Sequence, residues 1–98
     1  MAVFDFEGDS DKLLECYDDV LAKVVAVSSG RPVVHLAVPR EYGLMVCDVW
    51  DSDTALDAFI DNEDFHRVMA EGGLPEPKIR RYPVHNLGWP VADMPLYR

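Results

Sequence analysis

Residues 33–50 decide the fold, and they read VVHLAVPREYGLMVCDVW. Two runs of β-branched and apolar residues, 33–38 and 43–50, flank a stretch from Pro39 to Tyr42 that favours a turn. This pattern predicts an antiparallel hairpin, with its first strand in the middle of a sheet. Successive side chains of a strand point to opposite faces of the sheet, and both sets are apolar here, so both faces of the hairpin need to be covered.

The segment before the hairpin predicts one strand and one helix. Residues 2–7 alternate apolar and acidic side chains, which is typical of a half-buried strand. Apolar residues then recur at helical spacing, starting after Asp9 or Ser10, either of which can cap a helix. Residues 28–30, Ser-Ser-Gly, end this helix and turn the chain.

The segment after the hairpin predicts a second helical region and a last strand. Residues 51–53, Asp-Ser-Asp, form a strong helix start, and the acidic run 61–64 is expected to interrupt the helix. Residues 72–73, Gly-Gly, stop it. Residues 78–85 read as the last strand, and Pro83 places that strand near an edge or at a bulge.

The resulting order, β-α-β-β-α-β, predicts an α+β ferredoxin-like domain over residues 1–86, with a four-stranded antiparallel sheet and both helical regions on one face. The other face would be an exposed apolar patch, which a monomer rarely tolerates. We therefore expect a homodimer that packs sheet against sheet. Residues 87–98 are expected to form a C-terminal arm in which Trp89 helps to clasp the partner, although the arm could instead fold under its own sheet.

Composition limits the classes of partner. The chain has 98 residues, 49% of them hydrophobic, and a net charge of −9. This acidic excess repels nucleic acid and anionic membrane surfaces, so neither is an expected partner. The absence of a signal-like amino terminus and of about 18 consecutive apolar residues favours the cytoplasm. The two isolated cysteines, Cys16 and Cys47, are expected to be buried and reduced.

Three short motifs carry a family resemblance. They are Val34-His35-Leu36-Ala37, the junction 48–52 (Asp-Val-Trp-Asp-Ser) and the stretch 82–86 (Tyr-Pro-Val-His-Asn). With the order of elements, they resemble the dimeric α/β-barrel superfamily, and most closely its antibiotic biosynthesis monooxygenase (ABM)-like small proteins. The resemblance implies a homodimer of ferredoxin-like units. It leaves activity open, because the superfamily includes cofactor-free oxygenases, haem-degrading enzymes, cyclases, decarboxylases and isomerases.

The haem-degrading branch can be tested against the sequence. Its members carry an Asn on the first strand, a Trp nine residues after the motif tryptophan and a His ten residues later. Counted from Trp50, these positions hold Phe59 and Met69, and the first strand has no Asn. Haem degradation by that mechanism is therefore not expected, although His66, one helical turn from Met69, leaves haem binding as a third hypothesis.

Candidate catalytic groups are His35, Asp48 and His85. His35 lies in an apolar strand, where burial would lower its pKa and keep the imidazole neutral. Asp48 lies in the next strand and needs a partner, for which His35, His85 and Arg81 are candidates. The hairpin register decides whether His35 and Asp48 share a face, and the sequence leaves it open. The three histidines lack close metal-ligand spacing, so no metal site is expected.

Candidate substrate-binding residues form a mostly aromatic set. They could line a pocket for a flat, hydrophobic aromatic or polyketide-like molecule, or serve as ordinary core and strand-end residues: Trp50, Phe59, Phe65, Met69 and Asn86. The resulting hypothesis is a cofactor-independent monooxygenase, or a related cyclase or isomerase, which uses a histidine as base. The alternative is a non-catalytic dimeric protein that binds small molecules or acts as an accessory.

Overall fold

The computed structural model describes residues 1–88, which form a four-stranded sheet and three helices. The sheet is antiparallel, with strand order β2-β3-β1-β4, and this confirms the ferredoxin-like α+β arrangement. The elements are β1 Ala2–Glu7, α1 Ser10–Val27, β2 Val34–Arg40, β3 Gly43–Val49, α2 Asp53–Ile60, α3 Glu63–Glu71 and β4 Lys78–Arg81.

The hairpin differs from its prediction in two respects. Strand β2 lies at an edge of the sheet, so its expected central position is wrong. It also runs on to Arg40, with Pro39 paired opposite Leu44, and leaves only residues 41–42 in the turn. An edge strand tolerates Pro39 because one side of its backbone has no neighbouring strand that needs an N–H donor.

Strand β4 is shorter than predicted, because it ends at Arg81 rather than at residue 85. The amide of Tyr82 still donates to the carbonyl of Met1 at 2.9 Å. Pro83 follows directly and has no N–H to continue the ladder. His85 and Asn86 therefore lie beyond the sheet instead of at the end of a strand.

Side-chain caps define the helix starts. Asp9 accepts a hydrogen bond from the amide of Lys12, and Ser52 accepts one from the amide of Ala55, both at 3.1 Å. The interruption expected in the second helical region falls at residues 61–62, where Asn62 caps α3. The side-chain Nδ2 of Asn62 also donates to the backbone carbonyl of Val27 at 3.0 Å, which connects the start of α3 to the end of α1.

The core lies between the helices and one face of the sheet. Phe4, in the central strand β1, contacts Phe59 and Phe65 edge to face, with ring centroids 6.3 and 6.5 Å apart. A Cβ on Gly72 would lie 1.9 Å from Cγ1 of Val20, so glycine is required where α3 ends against α1. The buried core is completed by Ala2, Phe6, Leu13, Leu44, Val46, Leu56, Val68, Met69 and Leu74.

The outer face of the sheet is not covered by helices. Leu36 is 55% exposed and Val38 is 38% exposed, and both point away from the core. Cys47 also lies on this face and, like Cys16, is a free thiol. The predicted arm lies almost entirely outside the described residues, and Trp89 lies wholly outside them. No helix within residues 1–88 has the length and apolar character needed to cross a membrane.

Candidate functional site

The hairpin register places His35 directly opposite Asp48 on the helix-covered face. Asp48 is in phase with the core residues Leu44 and Val46 on β3, and His35 is in phase with Ala37 on β2. The two candidate catalytic groups therefore share a face, which the sequence alone left open. Of the three candidate partners for Asp48, the structure selects His35.

His35 and Asp48 form a short hydrogen bond. Nδ1 of His35 lies 2.5 Å from Oδ1 of Asp48, and Asp48 is the one buried charged residue among those described, at 3% exposure. A buried carboxylate is costly unless it is paired, so this contact explains how Asp48 is tolerated in the core. Because Asp48 accepts the proton on Nδ1, it fixes the tautomer of a neutral His35 and leaves Nε2 as an acceptor.

Tyr17, on helix α1, occupies that second nitrogen. Its hydroxyl oxygen lies 2.5 Å from Nε2 of His35, and the two rings are parallel within 7°. With neutral His35, the Tyr17 hydroxyl donates to Nε2. The result is a hydrogen-bonded chain, Tyr17–His35–Asp48, that runs from the helix layer to the sheet.

The protonation of His35 differs from the sequence-based expectation. The hydrogen bond to Asp48 raises the pKa of His35, and the charge of Asp48 raises it further, whereas burial acts in the opposite direction and is outweighed. The predicted lowering of this pKa is therefore wrong, because the paired carboxylate stabilises the imidazolium more than partial burial destabilises it. Burial raises the pKa of Tyr17, and the charges of Asp48 and Asp18 add to that rise.

The hydrogen-bonded series Tyr17–His35–Asp48 borders an apolar cavity. An inner chamber of about 60 Å³ lies between the sheet and the helices, and a wider recess of about 290 Å³ adjoins it. Both are lined by Leu21, Val24, His35, Asp48 and Phe59, so they share a wall. The recess is close to the lower size limit of small-molecule sites, ~300 Å³.

The structure brings only part of the predicted binding set to this cavity. Phe59, Phe65 and Met69 line the inner chamber. Trp50 does not line it but packs behind Phe59, with ring centroids 5.0 Å apart. Its indole Nε1 is buried and has no hydrogen-bond partner among the described residues.

The other predicted residues lie elsewhere. His85 and Asn86 are exposed, follow β4 and line neither part of the cavity. His66 hydrogen-bonds through Nε2 to the carbonyl of Ile60 at 2.6 Å, and its Nδ1 lies 3.5 Å from Glu76. His66 thus has local partners at both ring nitrogens. Within residues 1–88, no group of three or more His, Cys, Asp or Glu side chains is arranged to hold a metal ion.

Sequence reasoning missed the role of the Tyr17 hydroxyl. Tyr17 recurs with the apolar residues of α1 at helical spacing, which is typical of a core position. A polar atom on an apolar stripe was the available signal, because a hydroxyl facing the core needs a partner. The identity of that partner depends on how α1 packs on β2, which spacing along the chain does not specify.

Comparison with known proteins supports the fold. No protein-family model matches the chain, and no curated protein sequence matches it. A solved structure from Chloroflexus aurantiacus J-10-fl, described as a candidate antibiotic biosynthesis monooxygenase, aligns with a TM-score of 0.56. The alignment covers 89% of this chain and 94% of the other, at 15% sequence identity.

The chain has an ABM-like fold. At this identity the similarity establishes architecture and not activity. The ABM-like resemblance drawn from the three motifs is nevertheless confirmed at the level of the fold. The chemistry has to be argued from the cavity and the side chains that face it.

Proposed function

We propose that this chain is a cofactor-independent monooxygenase that acts on a hydrophobic aromatic or polyketide-like molecule. The observation that carries the proposal is the Tyr17–His35–Asp48 chain at the wall of an apolar cavity. An acid–base group that is paired with a buried carboxylate and lines a cavity is a recognised mark of a functional site. The ABM-like fold supports the same reaction class by analogy.

His35 serves as the general base in this proposal. A ligand hydroxyl or acidic C–H takes the place of the Tyr17 hydroxyl at Nε2, and His35 accepts its proton. Asp48 stabilises the resulting imidazolium through Nδ1, because the hydrogen bond and the opposite charge both favour the protonated ring. The displaced Tyr17 hydroxyl can then donate to the oxygen on which negative charge develops.

The oxygenation balances without a cofactor. Loss of the proton from an activated CH₂ group leaves an electron-rich carbanion, which transfers electrons to O₂ and forms a C–O bond. The resulting peroxide accepts the proton from His35 and loses water to leave a carbonyl. One CH₂ group and one O₂ molecule thus become one C=O group and one water molecule.

We also propose that the chain works as a homodimer through its outer sheet face. Leu36 and Val38 are exposed there, beside half-buried Met45 and Cys47. Removing apolar surface of this kind from water is favourable by ~25 cal/mol per Å², so pairing with a second copy would stabilise this face.

The test uses anthrone, whose CH₂ group is acidified by two flanking rings and a carbonyl. Oxygen uptake and anthraquinone absorbance are measured with the unaltered chain, His35→Ala and the control His66→Ala. We expect His35→Ala to lower the rate by about 10²–10⁴-fold, as for loss of a general base. His66→Ala should leave it unchanged, since His66 lines neither part of the cavity.

Two outcomes would contradict the proposal. Turnover that is equal in His35→Ala and the unaltered chain would remove His35 as the base. Calorimetric binding of anthrone with no oxygen uptake would instead favour a non-catalytic binding protein. A Soret titration with haem tests the third hypothesis directly, and an unshifted spectrum excludes haem binding.

A further inference from the structure

The outer recess has one cationic side chain at its rim, Arg31. Its walls are otherwise mostly apolar, formed by α1, by the loop that follows it and by Phe59. Ser28, also in the lining, donates its hydroxyl to the carbonyl of Val24 at 2.6 Å, so this donor is already used. His35 and Asp48 line both the recess and the inner chamber. The lining of the recess therefore combines a guanidinium and an imidazole–carboxylate pair with apolar side chains.

Arg31 differs from the other arginines of residues 1–88 in having no carboxylate partner. Each of the others is within 4.0 Å of an acidic side chain, and these are Arg40, Arg67, Arg80 and Arg81. The hydrogen bonds that Arg31 makes within residues 1–88 are to backbone oxygens, with Nη1 donating to the carbonyl of Gly30 at 3.0 Å and to that of Ser28 at 3.4 Å. Its Nε and Nη2 groups make no hydrogen bond within the described residues.

This arrangement is notable in an acidic protein. The chain has 18 acidic and 9 basic residues, so carboxylates are available to most cations. A guanidinium that lines an apolar recess and has no carboxylate partner in the described part of the chain is placed to bind an anion from outside the chain. The contacts with the carbonyls after α1 orient the side chain and still leave its other donors available.

We propose that the ligand of this cavity is an aromatic acid with a hydroxyl group, whose carboxylate binds Arg31. The aromatic part packs between Leu21, Val24, Val25, Pro32 and Phe59. The hydroxyl reaches Nε2 of His35 and takes the place of the Tyr17 hydroxyl there. This inference rests on the proposed function for the orientation of the ligand, but its binding step is measured without turnover.

The experiment compares 6-hydroxy-2-naphthoate with its neutral analogue 6-hydroxy-2-naphthamide by isothermal titration calorimetry. The two probes share the rings and the hydroxyl and differ in charge. We expect the carboxylate to bind about 10-fold more tightly than the amide, as for a charge-assisted hydrogen bond at a partly exposed site. The preference should shrink in about 0.5 M salt, because rim charges are screened.

Arg31→Gln should remove that preference by weakening the carboxylate about 10-fold while changing amide affinity by less than about twofold. Arg31→Lys keeps the charge and should retain a reduced preference. Arg67→Gln is the matched control, because Arg67 lies on α3, pairs with Asp64 and Glu71, and does not line the recess. Thermal unfolding of each variant shows whether the end of α1 remains folded.

The outcomes test the ligand inference independently of the monooxygenase proposal. Equal affinity for both probes in the unaltered chain, or an unchanged carboxylate affinity in folded Arg31→Gln, overturns the inference. Binding of neither probe overturns it as well. Loss of the preference in Arg31→Gln, together with no anthrone oxidation by the unaltered chain, supports the inference and contradicts only the monooxygenase proposal.

Discussion

The two faces of the β2–β3 hairpin are made by alternate residues of the same chain, yet they have opposite surroundings. On one face, His35 and Asp48 pair beneath the helices, and Asp48 is almost fully buried. On the other, Leu36 and Val38 are exposed to a large extent. The helix-covered face of the hairpin therefore holds a polar pair, and the open face exposes apolar side chains.

The contrast shows that a side chain of this hairpin is buried when the helices cover its face of the sheet, whether the residue is polar or apolar. Helices α1 and α3 cover one face, and they enclose whatever the pleat places there, including a carboxylate. The opposite face carries residues that a core would accept, but no helix covers it. A carboxylate in the core requires a hydrogen-bonding or charged side chain beside it. An exposed apolar face is instead stabilised when another protein surface covers it.

The largest expected effect comes from a pair of truncations, one on each face. Phe4→Ala removes a ring packed among Phe59 and Phe65 and should lower the free energy of unfolding by about 3–5 kcal/mol. Val38→Ala, on the outer face, should lower it by less than about 1 kcal/mol where the chain is dilute and monomeric. Urea unfolding at low micromolar concentration measures both, and equal losses would contradict the distinction between the faces.

The second prediction concerns the proposed homodimer. Leu36→Asp places a charge among the exposed apolar residues of the outer face and should raise the dimer dissociation constant by about 30-fold or more. Sedimentation velocity across a concentration series measures this change. Ala22→Asp adds the same charge to an exposed position of α1 and serves as the control. A chain that is monomeric throughout the series, before any substitution, would remove the sheet-to-sheet dimer.

The third prediction uses the pKa of His35. In the folded chain the hydrogen bond to Asp48 raises this pKa, so the pair contributes stability that is fully present below about pH 6.5 and is lost as pH rises through the raised value. Asp48→Asn should lower the pKa of His35 and flatten this pH dependence. The stability change itself should be no more than about 1 kcal/mol, because the His35 side chain is 34% exposed and solvent screens the pair.

NMR titration of the His35 ring protons provides the measurement. Unfolding free energies at about pH 6 and about pH 8.5, at one protein concentration, test the linkage. His66 is an internal control in the same spectra, since its contacts are with Ile60 and Glu76 and not with Asp48. An unchanged His35 titration in Asp48→Asn would mean that the pair does not govern this pKa.

The smallest expected effect is that of Tyr17→Phe. The substitution removes one hydroxyl whose hydrogen bond to His35 is partly exposed, and water can replace it. We expect a loss of about 0.5 kcal/mol in unfolding free energy, measured by thermal and urea unfolding. A loss above about 2 kcal/mol would show that the Tyr17–His35 contact is a structural part of the core and not an exchangeable contact at the cavity.

Most of the fold was predictable from local pattern. Alternation in residues 2–7 and in the hairpin indicated strands, and the polar groups at Asp9 and Ser52 marked helix starts that the structure bears out. The errors fall at edges. Pro39 was expected to end a strand but is tolerated at the edge of the sheet, and strand β4 stops before Pro83.

The site was less predictable because its contacts join distant parts of the chain. His35 and Asp48 were identified by residue type in an apolar setting, but their contact depends on register. Tyr17 is 18 residues from His35 in sequence, and their contact depends on how α1 packs against β2. His85 and Asn86 followed from a motif at a strand end, and the early end of β4 leaves them outside the cavity.

The amino-acid sequence by itself determined which elements form and which faces they present, because alternation and helical periodicity are local properties of the backbone. It also determined that a carboxylate and an imidazole lie on neighbouring apolar strands. Only the tertiary structure decided that these groups meet, that Tyr17 completes the hydrogen-bonded chain and that Arg31 lines the recess with no carboxylate partner among residues 1–88. Register and helix packing depend on contacts between residues far apart in sequence, and these form only when the whole domain folds.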